Sequence, residues 1–372
     1  MTKFNGPSIY IPTDKNIYDA LQHKKITLKH LIELLRSRGI LVSEHSSKDA
    51  LVEKISSMTL SYSDFTWIGQ LLENSNRKSK VTHSKLSGKT TAKQIDSACK
   101  TLKTDLTSDS DDSIKVTKEG SKTTFKVTYI DYDFTKTELR QRTLKTCDIE
   151  IEHGDDEVTF KMPSDKKAEE VVKKLKSKIQ DNVKNDQGDE LEEVNISLES
   201  LDDVEVRSGF FDSLIRNIDG LTFDTVTNVS IFNNDKAPLD EDEYDDEGED
   251  EDTDARLASY INKAAFDGAG VLESKEFQQL HERGFYIYRI VWTAEDTVNE
   301  RKKVEFEAQF GNPSLCNEFK YCIRGVYNFN DRTGQHNITR RHPTPLEIRK
   351  YTSQLQISSE QALESAKLAF GE

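Results

Sequence analysis

The spacing of the apolar residues changes along this chain near residue 114, and that change limits the fold more than any other feature. Up to residue 72 the large apolar side chains recur three or four positions apart, the period of one helix face. From residue 114 stretches appear in which they recur every second position, the period of one strand face, with helical stretches between them. This order predicts an α+β chain: a small N-terminal helical domain, then a body of mixed antiparallel sheet and helix, with an acidic disordered insertion.

The helical part reads in four pieces. Residues 14–22 gather Ile17, Tyr18 and Leu21 on one face. Residues 26–57 hold two short amphipathic helices joined by an extended turn. Thr27 stands where an N-cap is needed, and Leu28, Leu31, Ile32 and Leu35 follow at helical spacing. Arg36, Arg38 and Gly39 supply a basic last turn and a glycine cap. Ser46 or Ser47 then caps a helix that turns Leu51, Val52 and Ile55 inward. Tyr62, Phe65, Trp67, Ile68, Leu71 and Leu72 complete a four-helix domain expected over residues 1–73. Lys29, Arg36, Arg38, Lys48 and Lys54 are left to face water.

The pattern of residues 26–57 resembles the SAP and HeH family of helix–extension–helix DNA-binding modules. The matching residues are Leu28, Leu31 and Leu35, then Arg38-Gly39-Ile40, then the run from Lys48 through Ile55. That family usually has a glycine just before the lysine of its second helix, and Ser47 stands there in this chain. The resemblance implies a grip on the phosphate backbone of double-stranded DNA by Lys29, Arg36, Arg38, Lys48 and Lys54, with little sequence preference.

Beyond the helices, residues 74–113 read as a polar basic linker. Residues 114–235 read as an α+β domain, with hairpins around Phe125, Cys147 and Phe160. A helix follows Pro163, strands lie near 194–198 and 204–206, and a short helix carries Phe210 and Phe211. Residues 236–254 read as an acidic disordered segment, since 240–254 holds 12 acidic residues in 15 positions. Residues 255–372 read as a second α+β part that can join the first in one domain. A helix over 256–266 opens it, three strands follow, and two helices close it from about Pro345.

Charge is distributed unevenly. The whole chain carries −15, yet residues 1–93 hold 15 Lys/Arg against 8 Asp/Glu. A polyanion is therefore drawn to the N-terminal part and repelled by the rest. Four scattered cysteines make no disulfide framework. Neither a signal peptide nor a long apolar run is present, so the expectation is a soluble protein, cytoplasmic or DNA-associated, with no membrane partner. The sequons at Asn195, Asn228 and Asn337 are then chemically silent.

Three motifs raise the question of chemistry. Ser87-Gly88-Lys89-Thr90 resembles the end of a phosphate-binding loop, but His83 stands where the first glycine belongs and no apolar strand is expected before it. Cys316, Cys322, His336 and His342 form a C-x5-C-x13-H-x5-H series with the residue types zinc prefers, though the cysteine spacing is long. Glu305, Glu307 and Gln309 share a strand face, and Glu307-Ala308-Gln309, with Asp296 or Glu273 upstream, has the spacing of a magnesium-dependent nuclease. Strand alternation alone also makes these three a solvated face. No cofactor is expected.

The leading expectation is a DNA-binding accessory or adaptor protein with a protein partner, whose basic loop adds Arg340 and Arg341 to the contact. The alternatives are a metal-dependent nuclease or other DNA-processing enzyme in genome maintenance or defence against foreign DNA, and a scaffold that binds only protein.

Overall fold

A computed structural model describes residues 13–43, 45–72, 80–109, 112–135, 142–154, 156–187, 190–234, 263–267, 272, 274–296 and 301–371. The acidic run at 240–254, the first part of the helix expected over 256–266, Arg77, Lys78 and Glu273 lie outside these residues. The chain divides into two compact units, residues 1–77 with 93–149 and residues 78–92 with 150–372.

The first unit begins with helices α1 (Asp14–Gln22), α2 (Leu28–Ser37), α3 (Lys48–Ser56) and α4 (Tyr62–Leu72). Ile17, Leu21, Leu31, Leu35, Val52, Ile55 and Ile68 make one buried cluster among them. Thr27 and Ser47 occupy the N-cap positions expected of them, and the Ser47 hydroxyl accepts from the Ala50 N–H. Gly39 closes α2 at φ 74°, its N–H on the Arg36 carbonyl and the Ile40 N–H on Leu35. Tyr18 departs from expectation, since Ala20 faces the cluster in its place.

The expected linker is largely ordered structure. Val81–Ser87 is strand β1, in the second unit, and Ala92–Asp109 is helix α5. Ile95, Ala98, Cys99, Leu102 and Leu106 are buried at spacings of three, one, three and four, an amphipathic stripe diluted by the Lys, Ser and Thr between. Strands β2 (Ser113–Glu119), β3 (Lys122–Tyr132) and β4 (Arg142–His153) follow in antiparallel order. Gly120, at φ 61°, sits in the tight turn between β2 and β3.

The second unit holds β5 (Glu157–Pro163), α6 (Lys166–Gln187), β6 (Glu192–Asn195), α7 (Val204–Arg216), β7 (Leu221–Phe232) and β8 (Lys263–Asp267). It continues with α8 (Lys275–Glu282), β9 (Tyr286–Asp296), β10 (Lys302–Asn312), β11 (Asn317–Tyr327), β12 (Phe329–Asn330), β13 (Gln335–His336) and α9 (Pro345–Phe370). Its sheet runs β5-β1-β11-β10-β9-β7-β8 with antiparallel neighbours, and β6 also pairs with β1.

Three expectations change here. Residues 204–206 open a helix, because Asp203 caps the Val206 N–H and Phe210, Phe211 and Leu214 extend the stripe. Residues 263–267 pair with β7 as a strand. The chain closes on one helix of 26 residues, its start fixed by Pro345 and by a reciprocal cap between Thr344 and Glu347. Helices α7 and α9 cover one sheet face, where Phe210, Tyr351 and Leu355 pack on Trp292, Phe306, Phe310 and Phe319. Among the described residues no helix is long and apolar enough to cross a membrane.

Candidate functional site

Two surfaces carry the candidate residues, one in each unit. In the helical bundle the five expected cations divide into two groups. The Lys48 ammonium donates to the carbonyls of Gln22 and His23 at 3.2 Å each, which caps the C-terminus of α1. Arg38 donates to the Thr59 carbonyl at 2.6 Å and lies 3.9 Å from Asp64. These two side chains hold the bundle together. Lys29, Arg36 and Lys54 are exposed, and their side chains make no ion pair or hydrogen bond among the described residues. Lys29 and Arg36 are seven positions apart, two helical turns, so they share one side of α2.

In the second unit, the sheet face opposite α7 and α9 is charged. Cross-strand rows bring Asn228, Val291, Glu307 and Cys322 into line, with Ser230, Arg289, Gln309 and Lys320 beside them. Glu305 and Glu307 are only 8% and 7% exposed, so the expected solvated strand face is instead the floor of an ion network. Glu307 accepts from Lys80 at 2.7 Å and from the Arg289 Nε at 2.8 Å, and Arg324 stands 3.6 Å away. Glu305 pairs with Arg340 and with Arg324 at 3.5 Å. The Lys80 ammonium also reaches the Gln309 side chain. Burial pushes the Glu307 carboxyl up, but Arg289 and Lys80 outweigh it and hold it below the usual carboxylate value.

Two backbone irregularities aim this network. A bulge in β11 leaves Arg324 between Ile323 and Gly325, which pair with Phe306 and Glu305. Gly325 lets the 340–341 segment pass close by, since a Cβ there would stand 2.8 Å from the Arg340 Cδ. Arg341 does not join the charged face. It is bidentate to Glu347 at 2.6 and 2.7 Å and holds that carboxyl well below the usual range.

The metal candidates do not assemble. Cys316 belongs to the core under α7, whereas Cys322 faces Glu307 on the other side of the sheet. Burial pushes both thiols up to about 11. His336 sits 2.8 Å from the Arg301 carbonyl, and His342 is exposed. Asp296, the upstream carboxylate proposed for a magnesium site, is fully buried on the α9 side, where it accepts from Lys350 and Tyr351. Glu305 and Glu307 therefore meet cations and not a third carboxylate. The phosphate-loop motif does follow a strand, contrary to expectation, but His83 is buried within β1, so no loop of the required length precedes Gly88.

One cluster had no sequence signal. His83 lies on the α9 side of β1, edge-on to Tyr321 and 3.6 Å from Glu360, and borders a cavity of about 240 Å³. Among the described residues, neither His83 ring nitrogen nor the Tyr321 hydroxyl has a hydrogen-bond partner. Burial, with Lys161 and Lys85 nearby, pushes His83 down to about 3, so it is neutral at physiological pH. The pairing of β1 with β11 and the packing of α9 unite these residues, and His83 is more than two hundred positions from both Tyr321 and Glu360.

No curated protein matches the chain. Residues 15–78, which span α1 to α4, are similar to the family model described as GAPS4b protein N-terminal domain.

Proposed function

We propose that this chain is a nucleic-acid-binding accessory protein that grips the phosphate backbone of duplex DNA through α2, α3 and the extended segment between them. The observation that supports it is the division of labour among the five cations. Arg38 and Lys48 are committed to backbone carbonyls of the bundle, and the side chains of Lys29, Arg36 and Lys54 have no partner among the described residues. Uncommitted cations on a rigid scaffold release counterions when they meet phosphates, which gives affinity without base reading. An accessory role of this kind implies a protein partner that performs the chemistry.

The test is the salt dependence of duplex binding by the full chain. The triple variant Lys29→Gln, Arg36→Gln, Lys54→Gln is expected to lower the log–log salt slope by roughly three units, about 0.9 per lost phosphate contact. A triple variant with the parental slope rejects the reading.

A further inference from the structure

We infer that the charged sheet face of the second unit is a second phosphate-binding site, which follows the backbone of the same nucleic acid. The inference rests on the nucleic-acid reading above and adds a contact to it. Its first support is charge balance. Among the described residues, the ion pairs of Lys80, Arg289, Arg324 and Arg340 go to two carboxylates, Glu305 and Glu307. A cluster that served only to hold the sheet would be balanced, because an uncompensated charge at a half-buried site costs stability. Lys320, in the row beside Glu307 and Cys322, adds a fifth cation and Glu318 a third carboxylate; the two flank Gly311, and Lys320 makes no ion pair among the described residues, so cations still outnumber carboxylates.

The second support is the geometry of the guanidiniums. Arg289 uses Nε on Glu307 and Nη1 on Asn228 and Ser230, and among the described residues its Nη2 has no partner. Arg324 comes nearest to both carboxylates through Nε, and Arg340 comes nearest to Glu305 through Nη1. Each fork is thus anchored on a buried carboxylate while 25–32% of its side chain stays exposed. The buried carboxylates act as orienting struts. A fixed fork with a free edge is the donor geometry that phosphate oxygens accept.

The third support is spacing. Glu307 presents one oxygen to Arg289 and the other to Arg324, so the carboxylate stands between them. The strands that carry them, β9 and β11, are two strand spacings apart, roughly 10 Å. Forks so divided serve separate phosphates, which a polymer backbone supplies.

The experiment compares three full-length proteins on the same labelled duplex across a series of salt concentrations. They are the parent, the face variant Lys320→Gln with Arg340→Gln, and the bundle variant Lys29→Gln, Arg36→Gln, Lys54→Gln. The face variant is expected to lose roughly two units of salt slope. Lys320→Gln alone is expected to lose roughly one unit while melting with the parent, which separates a lost contact from a lost fold. A face variant with the parental slope, beside a bundle variant with a reduced one, overturns this site and leaves the bundle contact standing. The reverse pattern rejects the bundle contact and retains this site. Two parental slopes reject both.

Discussion

At the scale of single residues, the structure separates cations that hold the fold from cations free to meet a ligand. Lys48 and Arg38 look identical to Lys54 and Arg36 in sequence, since nothing local tells which lysine will find a helix end. We expect Lys48→Met to cost about 1–2 kcal/mol, the loss of hydrogen bonds that leaves the α1 carbonyls unmet. Its salt slope for DNA should equal the parent's, and a reduced slope with unchanged melting would reverse that assignment. Glu347 offers a pH test with a defined sign. Its folded carboxyl is held below the ordinary value of 4.5, chiefly by Arg341. Its contribution is therefore complete above that ordinary value and is lost as the pH falls below it. Glu347→Gln should destabilise the chain by about 1–3 kcal/mol at pH 7, and the gap to the parent should narrow in acid. Urea unfolding at pH 7 and pH 3 measures both, and a gap that stays constant would remove the ion pair as its cause.

At the scale of elements, β10 shows why alternation is read more easily than burial. The pattern Val304, Phe306, Ala308 and Phe310 against Glu305, Glu307 and Gln309 identifies the strand and its two faces. It says nothing of what covers the polar face, because Lys80, Arg289, Arg324 and Arg340 arrive from distant positions. Exposed strand substitutions usually cost less than about half a kcal/mol, whereas breaking a buried pair can cost 3–5 kcal/mol. Glu307 is buried and its partners are a quarter exposed, so they recover some hydration when it is removed. Glu307→Ala should thus cost about 1–3 kcal/mol in thermal or urea unfolding, and Glu307→Gln less. A cost near zero for Glu307→Ala would return this strand to the solvated face that alternation suggests. The helices α1 to α4 were legible because capping residues and apolar stripes coincide there. Helix α5 was not, because its stripe of Ile95, Ala98, Leu102 and Leu106 includes a small residue and lies in a polar, basic stretch. Val204 and Val206 suggested a strand, but the cap at Asp203 and the stripe beyond it decide for helix.

At the scale of the whole molecule, the charge asymmetry of the sequence is less simple than its totals. Residues 13–72, the described helical bundle, hold eight Lys/Arg against seven Asp/Glu. Most of the N-terminal surplus lies in residues 73–93, and two of its lysines, Lys80 and Lys85, are neutralised by Glu307 and by Glu157 with Glu360. A nearly neutral bundle does not draw DNA through its net charge; any attraction is local to Lys29, Arg36 and Lys54. The largest single-sign block is the run of 12 acidic residues at 240–254, outside the described residues. As part of the same chain it is tethered to the protein's own cations, and we expect it to compete with DNA for them. That competition is screened beyond about 10 Å at 0.1 M salt, so it belongs to dilute buffer. Replacing 240–254 with a neutral Gly/Ser segment of equal length removes those 12 charges. We expect the replaced protein to bind duplex DNA more tightly than the parent at low salt, and the two titrations to converge as salt rises. Coincident curves at low salt would show that the acidic run leaves both cationic surfaces untouched.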